Sequence, residues 1–140
     1  MLGHLGVNVA DLRAGKRYYD TVMPLLGYSQ FISATDQFAY HPADTKPGTY
    51  IFFYPALELP ADEPAYSRHR PGLQHLAFMV NSRTEVDAVH DKACELVTEF
   101  GGQVLHTPQH FPQYPPPYFA TFWLDPWGVM LEAVCHYDRP

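Results

Sequence analysis

Three side chains carry most of the chemistry legible in this sequence: His4, His75 and Glu132. Glu132 stands inside the apolar run Val-Met-Leu-Glu-Ala-Val of residues 129–134. A carboxylate among such neighbours is costly to bury alone, so it requires a partner. His4 opens the segment His-Leu-Gly-Val-Asn-Val, and His75 opens His-Leu-Ala-Phe-Met-Val. In both, every second residue is apolar, which predicts a strand that turns its histidine away from the apolar face. Two imidazoles and one carboxylate on matched strand faces leave coordination positions open, as catalytic metal sites do and structural ones do not. Singly, each has a plainer reading: a hydrogen-bonded structural histidine, or a carboxylate paired with Arg83 or Lys92. Their coincidence at matched repeat positions favours one divalent metal, with iron, manganese, nickel and zinc all open.

Two successive sets of elements must position these groups. Leu5, Val7 and Val9 alternate as a strand; Asp11 caps a helix bearing Leu12, Tyr19, Val22 and Leu26, which Gly27 closes. Strands are expected near 28–32, 37–40 and 49–54. The order then repeats. Leu76, Phe78 and Val80 alternate, and Ser82 with Glu85 forms a capping box. Val86, Val89, Ala93, Val97 and Phe100 make a helical stripe ended by Gly101 and Gly102. Strands follow near 103–105, 119–124 and 129–135. The pattern predicts an α+β fold of two tandem βαβββ modules within one domain over residues 1–140. Module 1 spans about 1–56, a proline-rich connector about 57–72, and module 2 about 73–138.

Composition narrows the function classes. At 140 residues with 46% hydrophobic and 17% charged side chains, the chain can build a core and is not disordered. A net charge of −6 argues against nucleic acid as partner. No apolar run is long enough for a membrane span, and the first residues lack a charged leader followed by an apolar segment. Two cysteines, Cys94 and Cys135, suit a reducing compartment. These features together predict a cytoplasmic, acidic, single-domain protein.

The paired modules, with His-Leu-Gly-Val-Asn-Val early and Asp-Pro-Trp-Gly-Val-Met-Leu-Glu-Ala-Val late, resemble the vicinal oxygen chelate superfamily. That group contains glyoxalase I, extradiol dioxygenases, fosfomycin-resistance proteins and bleomycin-resistance proteins. The resemblance covers nearly the whole chain. It implies a curved mixed sheet around a cavity, a divalent metal held by His4, His75 and Glu132, and chelation of vicinal substrate oxygens. It also implies a small-molecule substrate, and a homodimer in which the first module of one chain meets the second module of its partner. Glyoxalase I carries a further glutamate, both ligand and base, on the last strand of its first module. Aligning Gly48 with Gly128 puts Phe52 there, so the resemblance does not extend to glyoxalase I activity. A metal-dependent, glyoxalase- or dioxygenase-like enzyme is expected, acting on an aromatic or vicinal-oxygen-bearing molecule. The alternative is a bleomycin-resistance-type protein that sequesters its ligand without turnover.

The turn Asp125-Pro126-Trp127-Gly128 joins the last two strands. A four-residue loop there would pair Leu124 with Val129 and set Thr121 opposite Glu132. Phe119, Thr121 and Trp123 would then line the substrate cavity beside Glu132, with Tyr50, Phe52 and Tyr54 lining the other half. The same aromatics could equally serve as core filling. His110, in an expected proline-stiffened loop over 107–117, is the candidate catalytic acid or base, and an exposed loop histidine is its alternative.

Overall fold

The alternation of Leu5, Val7 and Val9 does produce a strand, and the same logic generates the rest of the chain. The computed structural model describes residues 1–62 and 64–140. It divides into two units, Met1–Ala61 and Asp62–Pro140, the boundary falling inside the expected connector. In the first unit the order is β1 (His4–Val9), α1 (Leu12–Val22), a 3-10 turn (Met23–Leu26), β2 (Tyr28–Ser33), β3 (Phe38–Pro42) and β4 (Tyr50–Pro55). The second unit runs β5 (Leu76–Val80), α2 (Arg83–Phe100), β6 (Gln103–His110), β7 (Phe119–Leu124) and β8 (Met130–Cys135). Each unit is a four-stranded mixed sheet, β1-β4-β3-β2 in one and β5-β8-β7-β6 in the other, so the α+β fold of two βαβββ modules is the observed one.

Each helix begins where a side chain satisfies its free amides. Asp11 accepts from the Ala14 amide at 3.0 Å, and Ser82 from the Glu85 amide at 3.2 Å. Glu85 reaches back to the Asn81 amide, one residue before the position a standard capping box uses. In unit one, Val7, Val9, Tyr19 and Phe53 are buried, with Phe53 stacked on Phe38 at 4.7 Å. In unit two, α2 buries Val86, Val89, Ala93 and Leu96. Leu96 thus takes the place in the buried stripe that the sequence assigned to Val97, which is half-buried.

Two strand features depart from expectation. First, β6 continues to His110 instead of stopping near Leu105. Pro108 suggests a break, yet β6 is a sheet edge, where the missing donor costs nothing, and a pairing irregularity between His106 and Gln109 absorbs it. Second, the β7–β8 hairpin has a three-residue loop. Asp125 pairs with Val129 (N–H to carbonyl 2.9 Å), the Gly128 amide donates to the Asp125 carbonyl at 3.2 Å, and Gly128 adopts φ 101°. This is a turn followed by a glycine bulge, and the buried Asp125 braces it by accepting from the Trp127 and Val129 amides, each at 2.9 Å. A Cβ at Gly128 would lie 2.1 Å from the Tyr66 carbonyl oxygen, so no other residue fits there.

In unit one, the Tyr40 hydroxyl donates to Asp20 Oδ1 at 2.7 Å and ties β3 to α1. Burial, then the hydrogen bond to and charge of Asp20, push the Tyr40 phenol far above its ordinary pKa of 10.0. A folded-state pKa above the unfolded one gives stability that is complete below pH 10 and declines as pH rises beyond it. Tyr40→Phe should therefore cost about 1–2 kcal/mol at pH 8 in urea denaturation. The gap to wild type should narrow above about pH 10.

Candidate functional site

Loop length decides which side chains surround Glu132, because a one-residue slip turns every side chain to the other sheet face. With Asp125 paired to Val129, the register sets Leu124 against Met130, Phe122 against Glu132 and Thr121 against Ala133. The expectation that Phe119, Thr121 and Trp123 share the Glu132 face is therefore corrected. The expected four-residue loop was one residue off, and parity reversed. Thr121 turns to α2, donating to the His106 carbonyl at 2.7 Å with its oxygen 3.3 Å from His90 Nδ1. Trp123 is paired with Leu131 and fully buried on that helix-covered side. Phe119, paired with Cys135, belongs to the same side. The face of Glu132 carries Ala120, Phe122 and Val134 instead, a buried cluster with Phe111 that Leu105, Tyr118 and Met130 extend.

Glu132 is wholly buried on this face. Its Oε1 accepts a hydrogen bond from the Tyr118 hydroxyl. Burial first, then Glu132 through that bond and its charge, raise the Tyr118 pKa well above the ordinary value and keep the phenol a donor. Oε2 lies 3.2 Å from His75 Nε2, close enough for an ion pair, yet receives no hydrogen bond, because the distance is met and the N–H direction is not. Arg83 and Lys92, the cations considered from sequence, pair instead with Asp138 and Glu95. His75 directly precedes β5, beside Leu76, which pairs with Leu131, so imidazole and carboxylate meet across the β5–β8 pair. The other ring nitrogen, Nδ1, bonds to Gln74 Oε1. A carbonyl oxygen can only accept, so the proton of that bond sits on Nδ1.

Oε2 and Nε2 stand 3.2 Å apart with no hydrogen bond between them. With ligand bonds of about 2.0–2.2 Å, neighbouring donors on one ion stand about 3 Å apart, and this pair could hold two corners of such a site. Among the described residues, no group of three His, Cys, Asp or Glu side chains that could hold a metal is gathered.

In the first unit, the corresponding face is aromatic. His4 pairs with Tyr50, Gly6 with Phe52 and Asn8 with Tyr54. Since Ala77 pairs with Glu132 and Gly6 with Phe52, Phe52 does occupy the repeat position of Glu132. His4 lies edge-on to Phe52 at 5.6 Å, and Phe31 meets Tyr50 at 5.3 Å. Tyr50, Tyr54 and Phe31 are 38%, 39% and 48% exposed, an apolar surface that its own unit leaves uncovered.

His110 ends β6 opposite Phe119, on the register side away from Glu132, with its ring 5.1 Å from that phenylalanine. It borders a surface cleft of about 520 Å³ with Phe111, Tyr114, Tyr118 and Asp138. The expected loop begins only at Phe111, so His110 loses the place above the carboxylate that the sequence suggested. The histidine on the Glu132 face is His106, paired with Phe122 and 5.5 Å from its ring. Sequence reading missed His106, Phe122 and Phe111; the glycine-bulge turn, read as a three-residue loop, would have found Phe122.

No family model matches the chain. The uncharacterized protein YqjT of Bacillus subtilis (strain 168) is 30% identical over 131 residues, 94% of this chain and 95% of that one. A candidate glyoxalase from Bacillus halodurans superimposes with a TM-score of 0.74 at 30% identity, covering 96% of this chain and 95% of the other. The chain belongs to the vicinal oxygen chelate superfamily, among the glyoxalase/bleomycin resistance/dioxygenase proteins. A glyoxalase/bleomycin resistance protein from Albidiferax ferrireducens T118 shares the fold, with a TM-score of 0.69 over 96% of this chain and 98% of that one at 21% identity. Within this superfamily fold, the Glu132 face of the second module buries a carboxylate among apolar side chains, and the Phe52 face of the first is aromatic. Thr121 belongs to neither. Thr121→Val should cost about 1–2 kcal/mol in urea denaturation by stranding the His106 carbonyl, and should leave ligand or metal binding unchanged.

Proposed function

We propose that this protein is a metal-dependent enzyme of the glyoxalase/dioxygenase type, acting on a small aromatic or vicinal-oxygen-bearing molecule. The observation that carries this reading is Glu132 Oε2, buried, without a hydrogen bond and 3.2 Å from His75 Nε2. A buried charged oxygen left unsatisfied is costly, and an ion bridging it to an imidazole lone pair removes that cost. His75 and Glu132 are two ligands; His4, at the matched position of the repeat, is the third, supplied by the first module of a second copy of the chain. An open strand face at each position supports that arrangement: His4, Gly6 and Asn8 on β1 are exposed, and Met79 on β5 is 73% exposed. A divalent ion so held would supply Lewis acidity to one or two substrate oxygens. The chain's own contributions are distinct. Glu132 brings the one ligand charge, Gln74 fixes the His75 tautomer, and Phe122, Phe111 and Val134 keep water from the carboxylate. Tyr50, Phe52 and Tyr54 offer ring faces to an aromatic substrate.

Phe52 favours a second reading. It stands where a second carboxylate would supply a base. Without a base the same surfaces would sequester a ring-bearing compound without turnover.

Metal analysis of protein purified without chelators separates the two. The enzyme reading predicts one ion per chain and at least tenfold weaker binding in Glu132→Gln, on the order of the losses that ligand and outer-shell changes cause. A metal-free protein that binds aromatic ligands would establish sequestration. Because of Phe52, no lactoylglutathione lyase rate is expected with the hemithioacetal of methylglyoxal and glutathione. The shared site is tested by co-refolding His4→Ala with Glu132→Ala chains: each heterodimer regains one intact site, so metal binding should partly return. No return, with heterodimers present, would place each site within one chain.

A further inference from the structure

Among the described residues, the phenol of Tyr118 is the one hydrogen-bond donor on Glu132, and the surrounding chain fixes it in place. Phe111 donates its amide to the Tyr118 carbonyl at 3.1 Å and closes the loop over 111–118. The Tyr118 ring is tilted against Tyr114 at 4.7 Å, with His136 edge-on at 5.1 Å and Phe111 at 6.1 Å. Held by these rings, the hydroxyl has little freedom to leave Oε1. A carboxylate engaged through one oxygen in this way is held against rotation, with its other oxygen kept beside His75.

We propose that Tyr118 is a positioning residue that makes Glu132 a one-oxygen metal ligand, by engaging Oε1 and leaving Oε2 aimed beside His75 Nε2. This rests on the metal reading given above. Oε2 is the oxygen with no hydrogen bond and Oε1 the one that has a donor, so the chain's own contacts differentiate the two oxygens. The proline-rich loop thereby acquires a role distinct from covering a cavity. Through Tyr118 it sets the geometry of a carboxylate that lies fourteen residues further along the chain.

Cobalt(II) is the probe, because its visible absorption responds to coordination number independently of turnover. Wild type, Tyr118→Phe and Tyr114→Phe are titrated with cobalt(II), with circular dichroism and thermal unfolding run on each. Tyr118→Phe keeps the ring and its packing and loses only the donor. It should bind cobalt about 10-fold or more weakly, as loss of an outer-shell partner does. Its absorption bands should also weaken and shift as the freed carboxylate changes its mode. Tyr114→Phe, which touches Tyr118 but not Glu132, should leave affinity and spectrum as in wild type. Equal affinity and an identical spectrum in Tyr118→Phe would overturn the inference while leaving the metal reading intact. So would equal effects of the two substitutions, which would trace the change to packing. A wild-type chain that takes up no cobalt would overturn the metal reading and this inference with it.

Discussion

A carboxylate buried to zero exposure organises the second module. Glu132 sits in the middle of β8, and its sheet neighbours are an alanine on one side and a phenylalanine on the other. Nothing apolar can offset the loss of hydration of that charge. The module supplies a phenol from the loop before β7 and an imidazole from the start of β5, so three separated pieces of chain converge on one side chain. Only one of its two oxygens is satisfied by hydrogen bonding. The remaining oxygen lies 3.2 Å from His75 Nε2 without a hydrogen bond.

The two modules share a backbone plan and differ at this one position in chemical kind. Where β4 pairs Phe52 with Gly6, β8 pairs Glu132 with Ala77. Around Phe52, the face is built from ring edges and stacked rings: His4, Phe31, Tyr50 and Tyr54. Around Glu132, it is built from a charge and its donors. The first module presents exposed rings on that face, and the second a buried carboxylate.

The order of elements and the faces of β1 and β5 were legible because both rest on period alone. Alternating apolar residues place His4 and His75 on the outward faces, and Asp11 and Ser82 mark helix starts by a hydrogen bond that needs no tertiary context. Phe52 opposite Glu132 in the repeat followed from aligning Gly48 with Gly128. The failures lie where a single residue of loop length or one pairing irregularity controls parity. Gly128 at φ 101° makes the β7–β8 loop three residues long, and that exchanged Thr121 and Trp123 for Phe122 beside the carboxylate. The prolines of residues 107–117 suggested a loop throughout, although an edge strand tolerates Pro108, and so His110 was set in a loop when it belongs to β6. The Tyr118 hydrogen bond was beyond sequence reading altogether, since it depends on how a closed loop returns to the sheet.

The central claim is that Glu132 Oε2 and His75 Nε2 are two ligands of one divalent ion. Anomalous diffraction from crystals grown with manganese or zinc, recorded on both sides of the metal absorption edge, tests it directly. The account predicts one strong anomalous peak per chain, about 2.0–2.2 Å from both atoms, with Tyr118 still on Oε1. A peak on other side chains, or an Oε2 still without a ligand at saturating metal, would contradict it.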